Sequence, residues 1–387
     1  MGTKEIKVLT IFGTRPEAIK MAPLVKELEK GEGIESFVCV TAQHRQMLDQ
    51  VLDIFQIKPE YDLNVMQERQ TLIQVTAKVL EGLDHVLKKE RPDIVLVHGD
   101  TSTTFVASLA AFYNQIAIGH VEAGLRTYNK YSPYPEEMNR QLTGVLADLH
   151  FAPTSLAAAH LRQEGKPEEN IYVTGNTVID ALKTTVKMDY YHPVLERIGD
   201  HKLILMTAHR RENLGEKMMG MFRGIRRLIE EHSDVSLVYP VHLNPVVQEA
   251  AEKVLGSHPR IHLISPLDAI DFHNFMFRAH LILTDSGGIQ EEAPAFGIPV
   301  LVLRDTTERP EGVEAGTLKL VGTNEEDVYQ MAHTLLTKPE EYEKMAKAAN
   351  PYGDGEASRR IVHAIQHHFG LRTDKPDLFN PNKTKHE

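Results

Sequence analysis

The sequence predicts an α/β protein built from two doubly wound parallel sheets, and three observations predict it. Short apolar runs rich in β-branched residues alternate with longer segments of helical period along nearly the whole chain. The runs fall into two series, one before and one after Gly175. The length of 387 residues suits two domains better than one.

Taken in order, the first series reads as strands at residues 6–12 (IKVLTIF), 36–41 (SFVCVT), 93–99 (DIVLVHG), 116–122 (IAIGHVE), 149–153 (LHFAP) and 171–175 (IYVTG). Helical patterns separate them, for instance 17–30 and 71–89. The second series reads as strands at 202–209, 235–242, 260–266, 281–287, 299–305 and 318–322. Each run is apolar throughout because helical crossovers cover both faces of a parallel sheet. The expected division is 1–175 for an N-terminal domain and 176–370 for a C-terminal one, with the changeover in the stretch 175–191. A last helix spans 355–370 and is a candidate to pack back on the N-terminal domain, followed by a polar tail, 371–387, expected to fray.

Composition removes several function classes. With 42% hydrophobic and 25% charged residues the chain is an ordinary globular protein, neither disordered nor fibrous. A net charge of -11 argues against a nonspecific binder of nucleic acid or anionic membrane, so any polyanionic ligand needs a local basic pocket. A single cysteine, Cys39, excludes a disulfide framework, a thiolate zinc site and an iron–sulfur cluster, and its strand setting reads as an inert core thiol. No apolar run reaches the ~18 to 20 residues of a membrane span, and the run at 6–12 is too short for a signal peptide. The expected location is the cytoplasm.

Ligands of open parallel sheets sit beyond the carboxyl ends of the strands, in a cleft between two such halves where there are two. Strand one runs into Gly13-Thr14-Arg15-Pro16-Glu17, and Pro16 opens a helix that also carries Lys20. Arg15 and Lys20 are either an anion-binding pair or part of a solvated first turn. Asp100 and Glu122 end two strands that must be buried on both faces. Asp100 is either a helix cap or a catalytic group, whereas Glu caps poorly and Glu122 favours function. Glu136 is either a first-turn charge favoured by the helix macrodipole or a third cleft carboxylate.

In the second half, TAHRREN groups His209, Arg210 and Arg211 at a strand end, as a phosphate pocket or a solvated loop. The sharpest signal lies at 283–317: a strand, then Asp285, Ser286, Gly287 and Gly288, then a helix. Glycines there let a backbone approach a ligand and the helix start presents N–H groups to a diphosphate. Glu292 follows one turn on, spaced to accept hydrogen bonds from ribose hydroxyls, and Arg309 follows the next strand. The chain has no GxxxxGK, GxGxxG after strand one, HExxH or GxSxG, which argues against a P-loop ATPase, a nicotinamide dehydrogenase, a zinc peptidase and a serine hydrolase. His363 and His367 stand four apart on the last helix without acidic or cysteine partners nearby, and read as a solvated face rather than a metal site.

These residues stand in motifs, in order along the chain: FGTRPEAIKMAPL, VHGDTSTT, HVEAGLRT, PEEMNRQ, GNTVIDAL, TAHRREN, TDSGGIQEEAP and RDTTERPE. Over essentially its full length the sequence resembles the non-hydrolysing UDP-N-acetylglucosamine 2-epimerase family. The resemblance implies a fold of the glycosyltransferase-B type, two Rossmann-like domains facing a central cleft, as a homodimer without metal or nicotinamide. It implies interconversion of UDP-GlcNAc and UDP-ManNAc, the latter supplying ManNAc units for cell-surface polysaccharide. The C2 proton beside an N-acetyl group is too weakly acidic for an unaided side-chain base, so departure of UDP from C1 has to help. Family members are understood to pass through 2-acetamidoglucal.

By the same resemblance Asp100, Glu122, Glu136 and His209 are the acid/base set. Arg15, Lys20, Ser286, Gly287, Gly288, Glu292 and Arg309 are nucleotide-sugar contacts, with Phe272 beside the uracil. Gln43, His44, Gln46, Arg69, Arg210 and His242 resemble a second UDP-GlcNAc site through which the substrate activates the enzyme. The rival readings are a hydrolysing 2-epimerase releasing ManNAc and UDP, a glycosyltransferase on the same fold, and a non-catalytic nucleotide-sugar sensor.

Overall fold

A computed structural model describes residues 5–41, 45–65 and 70–383. The described chain forms two compact units. The first comprises the residues up to Thr184 together with Gly353–Asn380, and the second comprises Thr185–Tyr352 together with the described residues 381–383.

The first unit is a parallel sheet of β1 (Ile6–Phe12), β2 (Ile34–Val40), β3 (Tyr61–Asp62), β4 (Ile94–His98), β5 (Ala117–Val121), β6 (Leu149–Ala152) and β7 (Ile171–Val173), in the order β3-β2-β1-β4-β5-β6-β7. Side chains alternate across β1: Ile6, Val8 and Phe12 enter one core, Leu9 and Ile11 the other. Helices Arg15–Leu28 and Ala357–His368 close the first face, and helices Leu72–Glu90 and Ser102–Tyr113 the second. Each fully buried aliphatic side chain stabilises this layering by about 1.5–3 kcal/mol.

The second unit repeats the plan with β8 (Lys202–Thr207), β9 (Val235–Pro240), β10 (Ile261–Ile264), β11 (Leu281–Thr284), β12 (Val300–Val302) and β13 (Leu318–Leu320), in the order β10-β9-β8-β11-β12-β13. In each sheet the connections run outward in opposite directions from one pair of central strands, β1 with β4 and β8 with β11. A crevice opens at the carboxyl ends of such a pair, and there the sheet can hold a ligand. Among the described residues no helix is long and apolar enough to cross a membrane.

The last helix packs on the first unit, while the segments around it depart from the sequence expectation. Helix Ala357–His368 inserts Ile361 and Ile365 into the core of the first unit. Asp180 receives the N–H groups of Ala357 and Ser358 at 3.2 and 2.7 Å, tying residues near 180 to the same unit. The tail beyond this helix is docked rather than frayed: Phe379 is buried among Ala123, Ala152 and Val173, and its N–H donates to Val173 O at 2.8 Å. Nor is His363 on a solvated face, since it is 8% exposed and its Nε2 lies 3.1 Å from Asp374 Oδ2. Cys39 is fully buried, and burial pushes its thiol up to about 12.

Candidate active site

At the carboxyl ends of β4 and β5 the first unit holds a cluster of charges in a largely dry setting. Val121 ends β5, and Glu122 follows with φ +61, a left-handed conformation that costs an L-residue about 1–2 kcal/mol. Strain of this kind persists where the surroundings impose it, often at functional positions. Gly99, at φ +64, leaves open the space beside the carboxylate: a Cβ there would sit 3.7 Å from Glu122 Oε1. The Glu122 side chain is 10% exposed and forms an ion pair with Lys20, itself 17% exposed. Asn176 Nδ2 donates to Glu122 Oε2 at 3.0 Å, and His98 Nε2 stands 3.5 Å from the same oxygen. Burial works to raise the Glu122 carboxyl, but the Lys20 ammonium and His98 outweigh it and hold the group well below the usual carboxylate range.

Asp100 is set the other way. Its Oδ2 lies 2.8 Å from Arg140 Nη2, and its carbonyl accepts Asn139 Nδ2 at 2.9 Å. Burial raises its pKa by more than Arg140 lowers it, and repulsion from Glu122 adds to the rise. The capping reading of Asp100 is corrected: Thr101 caps helix Ser102–Tyr113, its hydroxyl oxygen accepting the N–H of Thr104 at 3.2 Å. The Asp100 carboxylate is thus engaged by Arg140 rather than by the helix start. Glu136 is the first residue of helix Glu136–Leu146 and is partly exposed, whereas the neighbouring Glu137 is buried and accepts the N–H groups of Thr127 and Tyr128 at 3.1 and 2.9 Å. Glu137 therefore braces the loop that follows Glu122.

Arg15 opens helix Arg15–Leu28, where Thr14 and Glu17 form a reciprocal capping box. Glu17 also accepts from the Thr101 hydroxyl at 2.7 Å, locking the loop after β1 against the one after β4. Arg15 is partly exposed and has no ion pair among the described residues. Lys20, expected as its partner for an anion, is engaged by Glu122.

In the second unit, the carboxyl ends of β8 and β11 meet at Asp285. Its Oδ2 accepts the N–H groups of His209 and Arg210, both at 2.8 Å, and its carbonyl accepts Arg210 Nε at 3.1 Å. The His209 ring stacks on His242, with centroids 5.2 Å apart and planes 7° from parallel. Ser286 precedes helix Gly287–Glu292, and its side chain makes no capping bond. A Cβ at Gly287 would lie 4.0 Å from Arg309 Nη2, and one at Gly288 3.5 Å from Glu292 Oε1, so bare backbone runs between a cation and a carboxylate. Arg309 pairs with the buried Glu291. Glu292 Oε2 lies 3.4 Å from His273 Nε2, and Phe272 stands beside His273 on helix Ala269–Phe277.

Of the second-site candidates, Gln43, His44 and Arg69 lie outside the described residues, as does the side chain of Gln46. Arg210 and His242 are both placed around His209. Sequence reasoning passed over His98, Arg140, Asn176 and His273. His98 had a usable signal, the last position of a buried strand next to Asp100. The others reach their partners over 40, 54 and 19 residues of separation, which no local pattern marks. Among the described residues no group of three or more His, Cys, Asp or Glu side chains is arranged to hold a metal ion.

The chain is similar to known proteins over most of its length. A family model described as UDP-N-acetylglucosamine 2-epimerase matches residues 26–366. The UDP-N-acetylglucosamine 2-epimerase of Bacillus subtilis (strain 168) is 67% identical over 376 residues, covering 97% of this chain and 99% of that protein. Among solved structures, UDP-GlcNAc 2-epimerase from Neisseria meningitidis bound to UDP-GlcNAc is 52% identical, with a TM-score of 0.82 over 93% of this chain and 99% of that one. The Methanocaldococcus jannaschii UDP-GlcNAc 2-epimerase in complex with UDP-GlcNAc and UDP is 34% identical, with a TM-score of 0.74 over 94% of this chain and 100% of that one. Matched by that family model over most of its length and by a relative 67% identical over 97% of it, the chain belongs to the UDP-N-acetylglucosamine 2-epimerase family.

Proposed function

We propose that the protein interconverts UDP-GlcNAc and UDP-ManNAc without net hydrolysis, by eliminating UDP to leave 2-acetamidoglucal and adding it back with C2 inverted. The observation that carries this reading is the placement of two carboxylates at the ends of neighbouring strands in unlike settings: Asp100 stands 2.8 Å from Arg140, with burial pushing it upward, and Glu122 is paired with Lys20, which holds it downward. Two carboxyl groups so divided suit an acid and a base acting on one sugar carbon.

In this reading Glu122 and Asp100 exchange protons at C2 from opposite sides, with Glu136 completing the set. Arg15 and Lys20 receive the diphosphate. An incoming phosphate competes with Glu122 for the Lys20 ammonium, so the carboxylate becomes more basic as substrate binds. The second unit retains the nucleotide while it is detached: Ser286, Gly287, Gly288 and Arg309 at the phosphates, Glu292 at the ribose and Phe272 near the uracil. His209 exchanges a proton with the nucleotide sugar as a member of the same acid/base set.

Incubation with UDP-GlcNAc in deuterium oxide tests the reading by proton NMR. UDP-ManNAc should accumulate with deuterium at C2 and without an acceptor sugar. Free ManNAc and UDP would instead establish a hydrolysing enzyme, and an unchanged substrate would end the proposal.

We also propose that UDP-GlcNAc activates the enzyme through the second group of residues, supported by the stacking of His242 on His209. Started from pure UDP-ManNAc, the reverse reaction should lag until traces of UDP-GlcNAc are added. Full speed without the trace excludes activation.

A further inference from the structure

The fully buried carboxylate of Asp285 uses its two oxygens differently. Oδ2 accepts the N–H groups of His209 and Arg210 at 2.8 Å each, and Asn213 Nδ2 at 3.4 Å. Oδ1 accepts no hydrogen bond among the described residues, yet His209 Nδ1 stands 3.3 Å away from it. A buried carboxylate oxygen without a donor is unfavourable. The imidazole offers that donor if its proton is on Nδ1 and the ring turns slightly into line. Catalytic hydrogen bonds are often long or misaligned before substrate arrives.

The other surroundings of the ring fit the same purpose. His242 lies flat against one face and limits the plane in which the ring can sit. Arg210 is directed elsewhere, toward the Asp285 carbonyl and Glu308, the latter at 3.6 Å, so it does not compete for Oδ1.

We propose that Asp285 is a positioning residue for His209, holding the imidazole with its proton on Nδ1 so that Nε2 presents its lone pair to the nucleotide sugar. A ring held this way takes up a proton at Nε2 and gives it back, with the Asp285 carboxylate beside Nδ1 to balance the charge. The inference rests on the proposed function only in assigning the nucleotide sugar as the group that Nε2 meets. A purely structural Asp285 would tie down the loop after β8 and leave the position of the ring proton to solvent.

Asp285→Asn separates the two. The carboxamide keeps an oxygen for the N–H groups of His209 and Arg210, but turns an NH2 toward Nδ1, which must then accept and so places the ring proton on Nε2. The experiment is long-range proton–nitrogen NMR of histidine-labelled protein, with the His209 signal assigned by its loss in His209→Asn. The wild type should show the Nδ1–H tautomer and Asp285→Asn the Nε2–H tautomer. With an unchanged melting temperature, kcat in the variant should fall at least 30-fold while KM stays within threefold. An Nε2–H tautomer in the wild type, or a folded variant with kcat within threefold of wild type, overturns the proposal. If the variant does not fold, the wild-type tautomer decides alone. Failure of the proposed function shows separately, as wild-type protein that puts no deuterium into C2, and leaves the tautomer readable.

Discussion

Removing the Lys20 ammonium tests whether the charge on Glu122 is held by that one partner. In the free protein the Glu122 side chain is 10% exposed and the ion pair with Lys20 is supplemented by Asn176 and by His98 at 3.5 Å. At an effective permittivity of 20, unit charges about 4 Å apart attract by roughly 4 kcal/mol. Breaking a buried pair from one side usually destabilises by about 3–5 kcal/mol, because the remaining charge is stranded. Lys20→Met should therefore lower the stability of the first unit by about 3 kcal/mol. Glu122→Gln in the same chain removes the stranded charge and keeps an oxygen for Asn176, so the double variant should recover to within about 1 kcal/mol of wild type, a coupling of about 2 kcal/mol or more. Urea unfolding followed by far-ultraviolet circular dichroism measures this without substrate; the chain has no tryptophan to serve as a probe. If Lys20→Met is within 0.5 kcal/mol of wild type on the scale of exposed pairs, or the two substitutions add, the electrostatic account of Glu122 is wrong.

Three further outcomes are expected. Asp100→Asn should lower kcat by about 10²-fold or more while UDP-GlcNAc binding, measured by calorimetry, stays within about threefold, well under 1.4 kcal/mol; a protein that only senses the nucleotide would show no turnover even as wild type. His120 and His150 are buried in β5 and β6, where burial pushes their imidazoles down to about 3 and about 4. Because an unfolded histidine titrates near 6.5, the unfolded chain binds more protons below that pH, so their contribution is complete above pH ~6.5 and is lost as the pH falls toward 4, at ~1.4 kcal/mol per pH unit for each ring. His120→Asn should remove one ring's share of that slope between pH 6 and 4.5 in urea titrations, and an unchanged slope contradicts the assignment. Phe379→Ala should destabilise the first unit by about 3 kcal/mol, since the side chain is 4% exposed; a loss under 0.5 kcal/mol would mean that the tail is not docked in solution.

The parallel sheets were legible because each central strand is a short apolar run. The reading of 6–12 coincides with β1 residue for residue, and 93–99 and 116–122 bracket β4 and β5 closely. β3 was missed because Tyr61–Asp62 is two residues long and has no periodicity to read. Strand-end placement drew attention to Asp100, Glu122, His209 and Asp285, since a charged group there is hard to explain as packing. What stayed hidden was the partner of each group. Lys20 looked like half of an anion site because its spacing to Arg15 is local, whereas Glu122 lies 102 residues away in sequence. The docking of the tail was hidden likewise, because Asp374 and Phe379 find their partners in space and their own surroundings are polar.

The central claim is that UDP leaves C1 and returns while C2 is inverted. UDP-GlcNAc carrying heavy oxygen in the bridge between C1 and the β-phosphorus tests it most directly. During turnover the freed β-phosphate rotates, so phosphorus NMR of recovered UDP-GlcNAc should show the label spread into non-bridging positions as deuterium enters C2. A label that remains in the bridge through many rounds of epimerisation contradicts the account.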